Sequence, residues 1–135
     1  MIGILLVTHG KIGASLVAAA EYILGPQECL AAVTVDSASL PMSAKHIKEA
    51  ITKMECDGGT VILTDMYGGT PSNAGLSLLD NVNVEIVAGV NLPMLMKCLT
   101  SREATTPAQL AQRALEAGQR GILVTRTILD MAPPQ

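Results

Sequence analysis

The sequence predicts a single α/β domain, a three-layer sandwich with a mostly parallel sheet and helices on both faces. Residues 2–7 form a nearly continuous apolar run, which suits a strand that is covered on both faces. Similar short runs alternate along the chain with stretches of helical period, and this alternation implies right-handed crossovers between parallel strands. The 135 residues are enough for one domain with a sizeable core.

The first half of the chain reads as strand, helix, strand, helix, strand. Residues 14–24 are rich in alanine and leucine and stop at Gly25-Pro26, where glycine can take the left-handed conformation and proline prevents continuation. Residues 43–54 place their apolar side chains at helical spacing. The predicted strands of this half cover residues 1–7, 29–35 and 60–64, and a polar turn covers residues 37–41.

The second half contains two helix starts in which a threonine is followed by proline, Thr70-Pro71 and Thr106-Pro107. A hydroxyl at the N-cap and proline at the first helical position are typical of this boundary. Helices are predicted over residues 70–79, 91–100 and 106–117, the last closed by Gly118, and strands over 84–88 and 122–128. The last strand is partly polar, which favours an edge or an exchanged position over a central one.

Composition excludes several classes of function. The formal net charge is −3 without a basic run, and there are two tyrosines but no phenylalanine or tryptophan. Duplex nucleic acids and single strands that stack on aromatic side chains are therefore not expected partners. The first apolar run is too short to span a bilayer and no basic segment precedes it, so we expect a cytoplasmic domain without membrane insertion.

The three cysteines, Cys29, Cys56 and Cys98, are widely spaced and include no Cys-x-x-Cys pair. This pattern predicts buried free thiols in a reducing compartment. His46 lies among lysines in a predicted helix and is expected on the surface.

His9 lies just beyond the first predicted strand, and Asp65 directly follows the third. If these two strands are neighbours, both side chains emerge at the carboxyl edge of the sheet, where ligands are usually bound. Imidazole is a competent nucleophile when one ring nitrogen keeps its lone pair, and a carboxylate can hold the other N–H. The pair therefore indicates that His9 acts as a nucleophile and that Asp65 orients its ring.

The turn after Asp65 has the features of an anion site. Gly68 and Gly69 allow a close backbone approach, and Thr70 begins a helix whose free N–H groups favour negative charge. The two common nucleotide motifs, the P-loop and the dinucleotide fingerprint, are absent from the sequence. A phosphoryl group held covalently on His9 fits these residues better than a nucleotide does. Arg102 and Glu103 are weaker candidates for the rim of the site.

Three segments together resemble the signature blocks of the mannose-family enzyme IIA domains, which are phosphocarriers of the bacterial phosphoenolpyruvate:sugar phosphotransferase system. The segments appear in the family order, and the resemblance covers nearly the whole chain. They are Leu6-Val7-Thr8-His9-Gly10, Thr64-Asp65-Met66-Tyr67-Gly68-Gly69-Thr70-Pro71-Ser72-Asn73-Ala74 and Glu85-Ile86-Val87-Ala88-Gly89-Val90-Asn91-Leu92-Pro93-Met94-Leu95.

The resemblance implies that His9 accepts a phosphoryl group from phospho-HPr and passes it to a mannose-type IIB protein. Asp65 would support the histidine, and the Gly68-Gly69-Thr70 turn would bind the phosphoryl group, with no metal or cofactor. Family members have a sheet of strand order 2-1-3-4 and an antiparallel fifth strand exchanged in a homodimer. Residues 122–128 would be that fifth strand.

Three alternatives stay open at this point. The domain could be a regulatory module that is read out through phosphorylation of His9, because no linker and IIB domain follow Gln135 in this sequence. It could also be the IIA-like component of a dihydroxyacetone kinase system, although the Gly68–Asn73 block favours the mannose type. A third alternative is a domain that binds a small anion without phosphorylation.

Overall fold

The computed structural model describes residues 1–35, 40–66, 68, 73, 78–79 and 83–131. Within these residues the strands are β1 (Gly3–Thr8), β2 (Leu30–Thr34), β3 (Thr60–Thr64) and β4 (Val84–Ala88). The helices are α1 (Ile12–Leu24), α2 (Leu40–Met54), α3 (Leu92–Ser101), α4 (Pro107–Arg120) and α5 (Thr125–Met131).

The four strands form one parallel sheet in the order β2-β1-β3-β4, as expected. β1 and β3 are the central strands, and every residue of both is buried. Their nearly uniform apolar character follows from this burial, because both faces of a parallel sheet are covered by helices.

Alternate residues of the central strands enter two separate cores. Ile4 and Leu6 face one core with residues of α1, α3 and α4, whereas Leu5 and Val7 face the other with Ile47 of α2. The three-layer sandwich predicted from the alternation of elements is therefore confirmed for the described residues. The alternation of side chains along a strand produces this division.

Two of the predicted helix starts are confirmed in atomic detail. Asn91 Oδ1 accepts a hydrogen bond from the Met94 amide at 3.0 Å, and Thr106 Oγ1 accepts one from the Gln109 amide at 3.2 Å. Each side chain satisfies an amide that has no acceptor within its own helix. Of the helix predicted over residues 70–79, the structure describes only residues 73, 78 and 79, and the predicted Thr70-Pro71 start lies outside the described residues.

The predicted end of α4 at Gly118 was wrong. The helix continues to Arg120, and Gly118 lies inside it against α3. A Cβ at this position would lie 2.7 Å from Cε of Met94, and the carbonyl oxygen of Gly118 accepts a hydrogen bond from Asn91 Nδ2 at 3.0 Å. The absence of a side chain at Gly118 therefore allows α3 and α4 to pack closely at this position.

The strand predicted over residues 122–128 is also not present in this chain. Residues 122–124 have no regular structure, and Thr125–Met131 form helix α5, which buries none of its residues. A strand requires a partner that satisfies its backbone hydrogen bonds, and within the described residues no strand pairs with this segment. In a short helix, by contrast, some of the backbone hydrogen bonds form within the helix itself.

The prediction of three buried free thiols was wrong for two of them. Cys29 and Cys56 form a disulfide across 27 residues of sequence, and both residues are partly exposed. Cys98 alone is free and buried, and burial raises the pKa of its thiol to about 12 against the opposing charge of Arg102. The spacing of the cysteines carried no sign that the fold brings the first two together.

Other sequence predictions concern the surface. His46 is exposed on α2, as expected. No helix among the described residues has the length and apolar character needed to cross a membrane.

Candidate functional site

The carboxyl end of β1 delivers His9 to the surface. β1 ends at Thr8, and the chain turns at Gly10, whose φ of +48° favours glycine. The hydroxyl of Thr8 accepts a hydrogen bond from the amide of Gly13 at 2.8 Å and so ties the strand to the first turn of α1. The His9 side chain between these anchors is 46% exposed.

Asp65 reaches the same edge from β3. Val7 is aligned with Thr64 in the parallel pairing of β1 and β3, so His9 and Asp65 both lie just beyond the ends of adjacent strands. Asp65 Oδ2 lies 2.8 Å from His9 Nδ1 and accepts a hydrogen bond from the His9 amide at 2.9 Å. The structure thus brings together the two residues that the sequence singled out.

The electrostatics of Asp65 favour its ionised form. Its side chain is only 11% exposed, and this burial acts to raise its pKa. The hydrogen bonds and the charge of His9 outweigh burial, so the pKa of Asp65 lies below its ordinary value. The result is a carboxylate held against the histidine ring.

This contact distinguishes the two ring nitrogens of His9. A carboxylate oxygen can only accept, so Nδ1 carries the proton that the 2.8 Å contact requires. In the neutral ring, Nε2 then keeps its lone pair, and it is the nitrogen on the side away from the carboxylate. A partly exposed imidazole with its tautomer fixed in this way is suited to nucleophilic attack by Nε2.

Strand β2 supports the turn after His9, which the sequence analysis did not anticipate. Thr34 Oγ1 donates a hydrogen bond to the carbonyl oxygen of Gly10 at 2.8 Å, and the Val35 amide donates to that of Thr8 at 2.9 Å. A threonine near the end of a β-branched run is ordinary in sequence, so its role becomes visible only when β2 is placed beside β1.

The glycine-rich turn after β3 is described only at Gly68. This residue is exposed with φ +82°, and its carbonyl oxygen accepts a hydrogen bond from Asn73 Nδ2 at 3.3 Å. Gly69 and Thr70, the other predicted phosphate-binding residues, lie outside the described residues. Their role stays a prediction.

The weaker candidates for the rim of the site, Arg102 and Glu103, lie elsewhere. Arg102 is buried at the amino edge of the sheet, where its guanidinium donates to the carbonyl oxygens of Ile2, Glu28 and Cys29 at 2.7–3.2 Å. That edge is opposite the one that carries His9, so the prediction was wrong for Arg102 and for its chain neighbour. Through these hydrogen bonds, Arg102 joins the end of α3 to the starts of β1 and β2.

No groove that the structure describes is lined by His9 or Asp65. A groove of about 760 Å³ runs along the outer face of α2, and neither His9 nor Asp65 lines it. Among the described residues there is no group of three or more His, Cys, Asp and Glu side chains arranged to hold a metal ion. The His9 side chain, which is 46% exposed, is accessible to another protein.

Comparison with known proteins gives a consistent set of similarities. The family model EIIA-man, described as "PTS system fructose IIA component", matches residues 3–115. The mannose-specific EIIAB component of the phosphotransferase system of Escherichia coli K12 is 31% identical over 124 residues. These are 90% of this chain but 38% of that protein, so the chain spans less than half the length of this relative.

Two further similarities extend over most of both chains. The fructose-specific EIIA component of Bacillus subtilis is 29% identical over 105 residues, which are 76% of this chain and 72% of that protein. The crystal structure of the phosphotransferase system component EIIA from Streptococcus agalactiae superposes with a TM-score of 0.83 and 26% identity, covering 94% of this chain and 99% of that one.

Proposed function

Because this chain belongs to the EIIA-man family of phosphotransferase-system IIA components, we propose that it is a phosphohistidine carrier whose acceptor atom is Nε2 of His9. The observation that carries the proposal is the 2.8 Å contact between His9 Nδ1 and Asp65 Oδ2. This contact leaves Nε2 as the nucleophilic nitrogen of a side chain that is 46% exposed. Phosphotransferase activity within sugar uptake is the role of the family.

The transfer step exchanges one N–P bond for another. The lone pair of His9 Nε2 attacks the phosphorus of a phosphohistidine on the donor protein, and the donor nitrogen leaves with the electrons of the broken bond. Positive charge develops on the His9 ring as the new bond forms, and the carboxylate of Asp65 stabilises it through Nδ1–H. Most of the catalysis is positioning and charge stabilisation.

The proposed donor is phospho-HPr, and the proposed acceptor is a mannose-type IIB protein that completes sugar uptake and phosphorylation in the cytoplasm. The names of the relatives support this assignment, since they are mannose- and fructose-specific components of the phosphotransferase system. Gly68, Gly69 and Thr70 are the proposed binding residues for the phosphoryl oxygens. The positive φ of Gly68 supports a turn that exposes backbone amides.

The proposed assembly is a homodimer in which the segment after α4 pairs with the partner's sheet. β4 is an outer strand of the sheet in the part of the chain that the structure describes. The segment presents exposed apolar side chains, among them Ile122, Val124 and Leu129. An open strand edge and an uncovered apolar segment are features that pairing between two copies would satisfy.

The test is intact-mass spectrometry after incubation with phosphoenolpyruvate, enzyme I and HPr. The wild type is expected to gain one acid-labile phosphoryl group, and His9→Ala is expected to gain none. His46→Ala is the matched control, because His46 is the other histidine of the chain and is exposed on α2. A folded wild type that gains no mass from active donors, or a label lost in His46→Ala, would contradict the proposal.

A further inference from the structure

The amino edge of the sheet, opposite His9, contains a second reactive feature. Cys29 immediately precedes β2, and Cys56 follows the end of α2, with their Cα atoms 6.1 Å apart. Both residues are partly exposed, so a small thiol or disulfide can reach them. The backbone around the pair is fixed, since the Cys29 carbonyl oxygen accepts hydrogen bonds from the Ile4 amide at 2.9 Å and from Arg102 Nη1 at 3.0 Å.

The same surroundings also suit the reduced form. The carbonyl oxygen of Met54 lies 3.4 Å from Sγ of Cys56 and 4.0 Å from Sγ of Cys29, so it is positioned to accept from a thiol. A Cβ at Gly3 would lie 3.0 Å from Sγ of Cys56, so β1 packs directly against the pair. On reduction the two sulfur atoms must move apart to a non-bonded distance, and the Met54 carbonyl offers the Cys56 thiol an acceptor nearby.

The Cys29–Cys56 disulfide joins β2 to the end of α2, and the packing between these two elements is incomplete. β2 is an outer strand, and none of its residues is fully buried. A groove of about 370 Å³ remains between β2 and the end of α2, lined by Ala31, Ala32, Val33, Ala50, Lys53 and Met54. Because this groove leaves part of the space between the two elements unfilled, a covalent link at their junction adds to the apolar packing of residues such as Val33 and Ala50.

We propose that Cys29 and Cys56 form a reversible redox site, oxidised by low-molecular-weight disulfides and reduced by low-molecular-weight thiols, which attaches β2 to the end of α2 when oxidised. One cysteine thiolate attacks the external disulfide and releases one thiol, and the second cysteine then displaces the other half. One protein S–S bond forms, one external S–S bond is lost, and the two protons of the cysteines end on the released thiols.

Strand β2 connects this edge to the turn after His9. At the other end of β2, the Thr34 hydroxyl donates to the carbonyl oxygen of Gly10, and the Val35 amide donates to that of Thr8, on either side of His9. The first effect of reduction is therefore local: β2 and the end of α2 open more often, while the central strands β1 and β3 keep their burial.

Thiol counting in glutathione redox buffers tests the chemistry, with Cys98 as an internal control because it is completely buried. After equilibration with oxidised glutathione, the native wild type is expected to show no reactive thiol, and denaturation should reveal one. After reduction, two are expected in the native protein and three in denaturant. Peptide mapping should identify the Cys29–Cys56 link. Stable glutathione adducts without that link, or a link that excess reduced glutathione fails to open, would overturn the proposal.

Thermal unfolding and hydrogen exchange test the attachment. The oxidised wild type should melt about 10 °C above the reduced wild type, as expected for a closed loop of this length in a domain of this size. Amides of β2 and the end of α2 should lose protection on reduction. A double variant, Cys29→Ser with Cys56→Ser, should melt at the same temperature in both buffers. Equal melting temperatures and equal β2 protection in the two states of the wild type would contradict the attachment.

Discussion

Oδ2 of Asp65 accepts two hydrogen bonds from His9, one from its backbone amide at 2.9 Å and one from Nδ1 of its ring at 2.8 Å. One oxygen therefore fixes both the position of the main chain and the orientation of the imidazole. The other oxygen, Oδ1, is buried and has no partner among the described residues. Within the described residues, the hydrogen bonds that the carboxylate accepts from another residue both come from His9, so its removal should affect the chemistry of His9 directly.

Asp65→Asn should slow phosphoryl transfer to His9 by at least about 10- to 100-fold, the loss that follows when a carboxylate orienting a metal-bound histidine is removed. The amide can still accept from Nδ1–H, but it carries no charge to stabilise the ring as the N–P bond forms. The measurement is the initial rate of labelling by phospho-HPr in rapid-quench experiments. Asp57→Asn is the control, since that carboxylate is 91% exposed at the amino edge. A wild-type rate in Asp65→Asn would remove Asp65 from the mechanism.

The lowered pKa of Asp65 also predicts a pH dependence of stability. Since the folded pKa lies below the ordinary value of 3.8, the ionised side chain stabilises the fold fully above that value. The contribution is lost as the pH falls through the lower folded value. The free energy of unfolding of the wild type should therefore exceed that of Asp65→Asn by more at about pH 6 than at about pH 3. Urea unfolding at both values measures this difference, and an equal difference would contradict the assignment.

Thr34→Val tests the support that β2 gives to the site. Valine keeps the shape and the strand preference of threonine but removes the hydroxyl that donates to Gly10. We expect a loss of about 0.5–1.5 kcal/mol in stability and a slower phosphoryl transfer, because the turn that holds His9 is less restrained. Thr52→Val is the matched control, since its hydroxyl bonds to the Lys48 carbonyl within α2. Equal transfer rates in the two variants would show that β2 does not position His9.

The central features of this site could be predicted from the sequence because they depend on local rules. Apolar runs gave β1 and β3, and residues that follow adjacent parallel strands meet at one edge, which places His9 beside Asp65. The strand pairing that makes these two strands neighbours came from the family resemblance. The sequence therefore identified His9 and Asp65 as a pair without a measured distance.

The features that were missed depend on contacts distant in sequence. Cys29 and Cys56 meet only because α2 returns the chain to the start of β2. Residues 122–128 have the β-branched character of a strand, but in this chain the partner that a strand needs is absent from the described residues, and Thr125–Met131 become helical. Gly118 resembles a helix terminator, yet close packing against Met94 explains it.

Thr106→Ala should destabilise the protein by about 1 kcal/mol, within the usual 0.5–2 kcal/mol range for removal of an N-cap. The Thr106 hydroxyl accepts from the Gln109 amide at the start of α4, and alanine leaves that amide to water. Thr105→Ala is the control, because the hydroxyl of this neighbouring residue donates to the exposed side chain of Gln109 and not to a helix amide. Its effect in urea unfolding should be smaller than that of Thr106→Ala, and the reverse order would contradict the capping role.

Replacement of Ile122 and Val124 by lysine should convert the proposed homodimer into a monomer. In an extended strand these two residues point to the same side, and their side chains are 76% and 69% exposed in the single chain. Burial of two such side chains in a dimer is worth about 3–6 kcal/mol, so their loss should weaken association by at least about 100-fold. Sedimentation velocity at micromolar concentration measures the change, with Tyr22→Lys as a control at an exposed apolar side chain of α1. A wild type that sediments as a monomer at these concentrations would leave the exposed segment without a partner and would contradict the exchanged strand.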